Sequence, residues 1–139
     1  MVKTKKKILI DTHFFLWIFI EPKRFSDAAR RFIENTDEND FFLSYVSSWE
    51  ATIKFGLGKL RLPKPPDIFI PERVRVAEYF HLPIELGHVL NVHSLPLIHR
   101  DPFDRLLISQ AKSEDLIILT EDRKFNRYDI KTIGFSDIS

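Results

Sequence analysis

Four acidic residues occupy comparable places in this chain: Asp11, Glu50, Asp104 and Asp122. Asp11 directly follows the strand-like run Lys7–Ile10, and Asp122 lies just past the apolar run Leu116–Thr120. Glu50 and Asp104 each fall in the first turn of a helical pattern. Carboxylates gathered at one spot are hard oxygen donors for a cation such as Mg²⁺ or Mn²⁺, and such a cation can activate water and neutralise a phosphate. The chain contains no Cys, which excludes thiolate zinc sites, iron–sulfur clusters and Cys nucleophiles. Its five histidines (His13, His81, His88, His93 and His99) lack the four-residue spacing that places two ligands on one helix face. They read as structural or surface residues, with His13 and His99 nearest the acidic positions.

Taken singly, each carboxylate also has a structural explanation. Ser47-Ser48-Trp49-Glu50 has the form of a capping box, and Glu50 also stands one turn before Lys54. Asp101-Pro102 reads as an N-cap followed by proline at the first helical position, with Asp104 favouring the helix dipole. Asp122 can cap the turn that follows it, and Asp11 can end a strand. Helix geometry separates these cases, at about 100° per residue. In the helix after Asp101, Asp104 lies inside the arc of Phe103, Leu106, Leu107, Ile108 and Ala111, whereas Arg105 points away. In the helix after Ser47, Trp49, Ile53, Gly56 and Leu57 form the stripe, with Glu50 at its shoulder. Core-facing carboxylates are costly to bury without a cation or donors. Asp101 is fully explained as a cap and ranks as an outer residue of the site. Asp104 is not so explained.

The elements that must position these residues alternate. Strands are expected at Lys7–Ile10, Phe41–Tyr45, Leu82–Glu85, Leu116–Thr120 and Lys131–Ile133. Helices are expected at Thr12–Ile20, Ser26–Asn35 with Ser26 as N-cap, Ser47–Leu57, Pro71–Phe80, Gly87–His93 and Asp101–Ser113. The proline-rich stretch Leu62–Pro71 reads as a loop, and Asp122–Tyr128 as one or two turns. Short apolar strands interleaved with helices imply an α/β sandwich around a mostly parallel sheet, whose strand ends and helix N-termini gather function at one edge.

A length of 139 residues, with 44% hydrophobic residues and 13 Phe, fits one ordinary domain with a sizeable core. A basic tail is expected over residues 1–6, the body over 7–134 and a C-terminal tail over 135–139. The net charge of +1 argues against an indiscriminately basic nucleic-acid binder. Lys54, Lys59, Arg61, Arg100 and Arg105 read as solvated charge or as phosphate contacts, Arg105 being best placed beside Asp104. The longest apolar run, Phe14–Ile20, is far short of a bilayer span. Asp11-Thr12-His13 interrupts the signal-like N-terminus, so a cytoplasmic protein is expected. That run is apolar around its whole helix, which fits either deep burial or a partner surface that Ala51 and Phe55 extend.

Four segments carry a resemblance. Ile8-Leu9-Ile10-Asp11-Thr12-His13, Ser48-Trp49-Glu50-Ala51-Thr52-Ile53-Lys54, His99-Arg100-Asp101-Pro102-Phe103-Asp104-Arg105-Leu106-Leu107-Ile108 and Leu119-Thr120-Glu121-Asp122-Arg123-Lys124-Phe125 resemble, in order, the motifs of PIN-domain ribonucleases. Within that family the chain is most similar to VapC-type toxins of type II toxin–antitoxin pairs, over about residues 7–134. The resemblance implies a three-layer α/β/α sandwich in which Asp11, Glu50, Asp104 and Asp122 are catalytic and hold Mg²⁺ or Mn²⁺. It implies that Thr12 is the hydroxyl after the first Asp and Thr120 the polar residue before the last. It further implies an RNA substrate, a homodimer, and an antitoxin that reaches the active site. The expected reaction is metal-dependent hydrolysis of RNA without a covalent enzyme intermediate. The alternatives are a housekeeping PIN nuclease with no antitoxin, and a non-catalytic module whose acids serve only as caps and ion pairs.

Overall fold

A computed structural model describes residues 4–138. Part of the basic tail expected over residues 1–6 therefore lies outside the described residues, and Lys6 already opens the first strand. The strands are β1 (Lys6–Ile10), β2 (Asn39–Ser44), β3 (Phe80–Leu82), β4 (Ile117–Leu119) and β5 (Thr132–Ile133). The helices are α1 (Thr12–Ile20), α2 (Asp27–Glu34), α3 (Tyr45–Gly56), α4 (Pro66–Ala77), α5 (Leu86–Leu90) and α6 (Pro102–Glu114). All strand pairings are parallel, in the order β3-β2-β1-β4-β5. The order reverses between β1 and β4, which is where a parallel α/β sheet opens a crevice at its carboxyl edge.

The strands are apolar without alternation because both faces of the sheet are covered. Ile8, Ile10, Phe41, Leu43 and Leu119 enter one core with Phe14 and Phe15 of α1, Ala29 and Ile33 of α2, and Phe69, Ile70 and Val74 of α4. Leu9 and Ile118 enter a second core with Leu107, Ile108 and Ala111 of α6. The result is the expected three-layer α/β/α sandwich. The aromatic ring of Phe135, just past β5, packs against Phe14 and Phe25 at centroid distances of 5.1 and 5.3 Å. The segment after β5 thus closes the first core. His88 ties α5 to α6: its Nδ1 accepts the Glu85 N–H at 3.0 Å, and its Nε2 faces Glu114 at 2.9 Å.

Three local expectations are corrected. Helix α4 begins at Pro66 and contains Pro71, whereas sequence favoured a loop to that point. Proline is at home in the first turn, and burial of Phe69 and Ile70 carries the helix through the hydrogen bond that Pro71 lacks. Its C-terminus then falls earlier, and β3 pairs with β2 from Phe80 rather than from Leu82. Helix α3 starts two residues before Ser47, because Ser44 ends β2 and caps the helix by accepting the Val46 N–H at 2.9 Å.

The buried face of α3 also differs from the expected one. Val46, Ser47, Glu50 and Ala51 point inward, while Tyr45, Trp49, Ile53 and Leu57 form an exposed stripe. Helix α3 touches α1 and α4 on one side and α6 on the other, so its inward face must be small and close-fitting. In α1, Phe14, Phe15 and Leu16 are buried, Trp17 to Phe19 are half-buried, and Ile20 is exposed.

Ser44 Oγ also donates to Gln110 Oε1, joining the α3 cap to α6 inside the protein. Ser44→Ala strands the Val46 N–H and that buried amide oxygen together. It is expected to cost about 2–3 kcal/mol, read as a lower denaturant midpoint at unchanged slope.

Candidate metal centre

Asp11 follows β1 and stands at the N-terminus of α1, but its carboxylate makes no capping hydrogen bond. It turns instead to the neighbouring strand end, where Oδ2 accepts from Thr120 Oγ1 at 3.0 Å. The same Thr120 hydroxyl accepts the Asp122 N–H at 3.0 Å, so one buried side chain ties the first and last acids together. Asp122 retains its cap role through Oδ1, which accepts the Lys124 N–H at 2.9 Å, while Oδ2 faces inward. Its side chain is the most open of the four, at 39% exposure.

The other two acids arrive on helices. Asp104 is buried on the inner face of α6, as its angular position predicts. Asp101 caps that helix, its Oδ1 accepting from the Phe103 N–H at 2.8 Å and from the Asp104 N–H at 3.4 Å. Glu50 is buried in the second turn of α3 and forms no capping box, because the cap is Ser44. Its Oε2 pairs with Lys54 Nζ at 2.7 Å. Thr12 does not face a carboxylate; its hydroxyl donates to Ser47 Oγ at 2.7 Å and fixes α1 against α3 beside Asp11 and Glu50.

Arg105, read from the sequence as solvated charge or a phosphate contact, is engaged with the main chain. Nη1 donates to the Pro96 carbonyl at 2.8 Å, and Nη2 to the Val92 and Leu95 carbonyls at 3.2 and 3.3 Å. With its donors committed to main-chain oxygens, Arg105 straps the loop before α6. His99, a member of that loop, is the site residue that sequence reasoning undervalued. Its Nε2 lies 2.8 Å from Asp104 Oδ2 and 3.1 Å from Asp122 Oδ2. The available signal was its place two residues before the N-cap Asp101, where the chain turns toward the start of α6. Ser47 was the second omission, and its spacing of three from Glu50 places both on one helix face.

The donor set fits a divalent cation. Only three buried side-chain polar atoms lack a hydrogen-bond partner among the described residues, and two of them are Asp11 Oδ1 and Glu50 Oε1. Leaving a buried carboxylate oxygen unmatched is unfavourable, and a bound cation is the kind of partner that relieves it. Electrostatics agree. Burial, and then the charges of Asp11, Asp101, Glu50 and Asp122, push the Asp104 carboxyl up to about 8. Burial raises Asp11 to about 6 against the lowering effect of its Thr120 hydrogen bond.

For both acids the unfolded chain releases its proton near pH 4, while the folded chain holds it until the raised value is passed. The unfolded state therefore binds fewer protons across that window, and cation-free stability falls as pH rises from about 4 to about 8. Asp104→Asn is expected to raise the cation-free melting temperature at pH 8 by about 5 °C, or roughly 1–2 kcal/mol, with a smaller effect at pH 5. Melts in chelator at the two pH values check this.

Comparison with known proteins bears on the family and the fold. "Ribonuclease VapC16" of Mycobacterium tuberculosis is 33% identical over 69 residues, covering 48% of this chain and 49% of that protein. The chain thus matches about half the length of this curated relative. Among solved structures, VapBC2 from Rickettsia felis bound to a promoter DNA fragment contains a similar chain. The TM-score is 0.71 at 14% identity, over 92% of this chain and 98% of that one. DNA-bound VapBC from Salmonella typhimurium matches with a TM-score of 0.64 at 19% identity, over 94% of this chain and 98% of that one. At these identities the likeness is one of fold. The sequence pattern of the PIN domain itself matches residues 8–131, a span that includes the positions of all four acids, and the chain belongs to the PIN domain family.

Proposed function

We propose that this protein is a divalent-cation-dependent endoribonuclease and the toxin of a toxin–antitoxin pair. The observation that carries the reading is the pair of orphaned buried carboxylate oxygens, Asp11 Oδ1 and Glu50 Oε1, at the crevice where β1 and β4 end. Divalent-metal dependence is general among PIN nucleases. The Mycobacterium relative is called a ribonuclease, and the structural neighbours are VapBC assemblies. Carried to this chain, these names support RNA as substrate and an antitoxin as partner. The exposed stripe of Tyr45, Trp49, Ile53 and Leu57 supports a protein-binding surface, and with the family resemblance it supports a homodimer. Among the described residues no helix is long and apolar enough to cross a membrane. We assign the protein to the cytoplasm.

Asp11, Glu50, Asp104 and Asp122 would hold the cation, and their hard oxygen donors favour Mg²⁺ or Mn²⁺. A cation bound there supplies charge neutralisation at the scissile phosphate and lowers the pKa of water. The remaining tasks fall to the chain. Thr120 orients Asp11, and the Thr12–Ser47 bond sets the spacing of α1 and α3. Lys54 balances one oxygen of Glu50 and leaves the other directed at the site. Water, its pKa lowered by such a cation, is the attacking group in this reading, with no covalent enzyme intermediate. Its oxygen bonds to phosphorus, the bond from phosphorus to the 3′-oxygen breaks, and a proton ends on the departing 3′-hydroxyl.

Asp11→Asn and Asp104→Asn are each expected to reduce Mn²⁺-dependent cleavage of single-stranded RNA by more than the roughly 100-fold typical of outer partners of a metal site. Circular dichroism should show the fold unchanged, and expression of either variant should no longer arrest growth. Unaltered cleavage by both variants sinks the assignment.

A further inference from the structure

His99 is buried inside the acidic cluster and is held from every side. Its main-chain N–H donates to Tyr128 Oη at 2.8 Å, and its ring packs edge-on against Phe125 at 5.7 Å. Nδ1 faces the main-chain N–H of Asp101 at 3.3 Å. A peptide N–H can only donate, so Nδ1 presents its lone pair, and in the neutral ring the hydrogen then sits on Nε2. That hydrogen points between Asp104 Oδ2 and Asp122 Oδ2, at 2.8 and 3.1 Å. Two carboxylates brought this close repel one another unless a donor or a cation stands between them.

We infer that His99 is a positioning residue of the metal centre: its Nε2–H spans Asp104 and Asp122 and holds both carboxylates at the separation from which they share one cation, without itself becoming a ligand. The inference rests on the divalent-cation reading above. The three facing atoms of His99, Asp104 and Asp122 lie within 4.8 Å of one another, a spacing that would also suit a ligand triad. The tautomer decides between the two roles. A ligating Nε2 must offer a lone pair, which would place the hydrogen on Nδ1, against the Asp101 N–H. The bridge is made through Asp104 Oδ2, which leaves Oδ1 for the cation. Hydrogen bonds of this kind to ligating carboxylates orient them and tune metal affinity.

The test titrates Mn²⁺ into RNA-free protein and follows the electron paramagnetic resonance of the free aqueous ion. His99→Ala is expected to weaken Mn²⁺ binding by about 10–100-fold. His99→Gln keeps an N–H donor at the side-chain tip and should recover most of the loss. Melts in chelator should show both variants folded. Spin-echo spectra of Mn²⁺ on the wild-type protein should lack imidazole ¹⁴N coupling. Wild-type affinity in a folded His99→Ala protein overturns the inference, as does a folded His99→Gln protein no better than Ala. Imidazole coupling in the wild-type spectrum also overturns it, by making His99 a ligand, and that measurement needs no variant to fold. A wild-type protein that takes up no Mn²⁺ removes the cation reading and this inference together.

Discussion

Negative charge kept out of water is the constraint around which this molecule is arranged. Asp11, Glu50 and Asp104 are all buried, and that burial, reinforced by repulsion among them and Asp122, raises the carboxyls of Asp11 and Asp104 above the usual carboxylate range. The neighbouring groups attend to one oxygen of each acid: Thr120 to Asp11, Lys54 to Glu50, and His99 to Asp104 and Asp122. None of them neutralises the cluster as a whole. The protein is thus built with an unsatisfied centre, and its two hydrophobic cores must outweigh the cost of assembling it.

Topology explains why such a centre needs almost the whole chain. Two parallel neighbours, β1 and β4, deliver Asp11 and Asp122 to one edge from opposite ends of the sequence. Helix α3 then has to bridge the two layers, touching α1, α4 and α6, so that Glu50 reaches the same edge. The requirement shows in its buried face. Ser47 and Ala51 permit close approach beside Glu50, and Tyr45, Trp49 and Leu57 are left outside.

The sheet and the inward aim of Asp104 were legible in the sequence, because continuous apolar runs and helical periodicity act locally. Asp101 was legible for the same reason, since a cap is decided within four residues. The orientation of α3 was not legible. Large apolar side chains on one stripe ordinarily mark the core, and Trp49, Ile53 and Leu57 break that rule because crowding at the sheet edge selects small residues instead. The extent of α4 was obscured by prolines that tertiary burial overrides. The strap made by Arg105 was not legible because its partners are carbonyls of a loop, which leave no mark in composition. His99 was undervalued because it meets its carboxylates through a turn of the main chain and not through a helical interval.

The strap formed by Arg105 bears on how the site opens. One guanidinium holds the carbonyls of Val92, Leu95 and Pro96, and Tyr128 holds the N–H groups of Ile98 and His99. The loop therefore has few independent ways to fray, and releasing any part of it releases the rest. Breathing near the cluster becomes a single cooperative event, with the amides of Ile98 and His99 exchanging their hydrogens together. Repulsion among the acids is in this way prevented from relaxing by small outward steps.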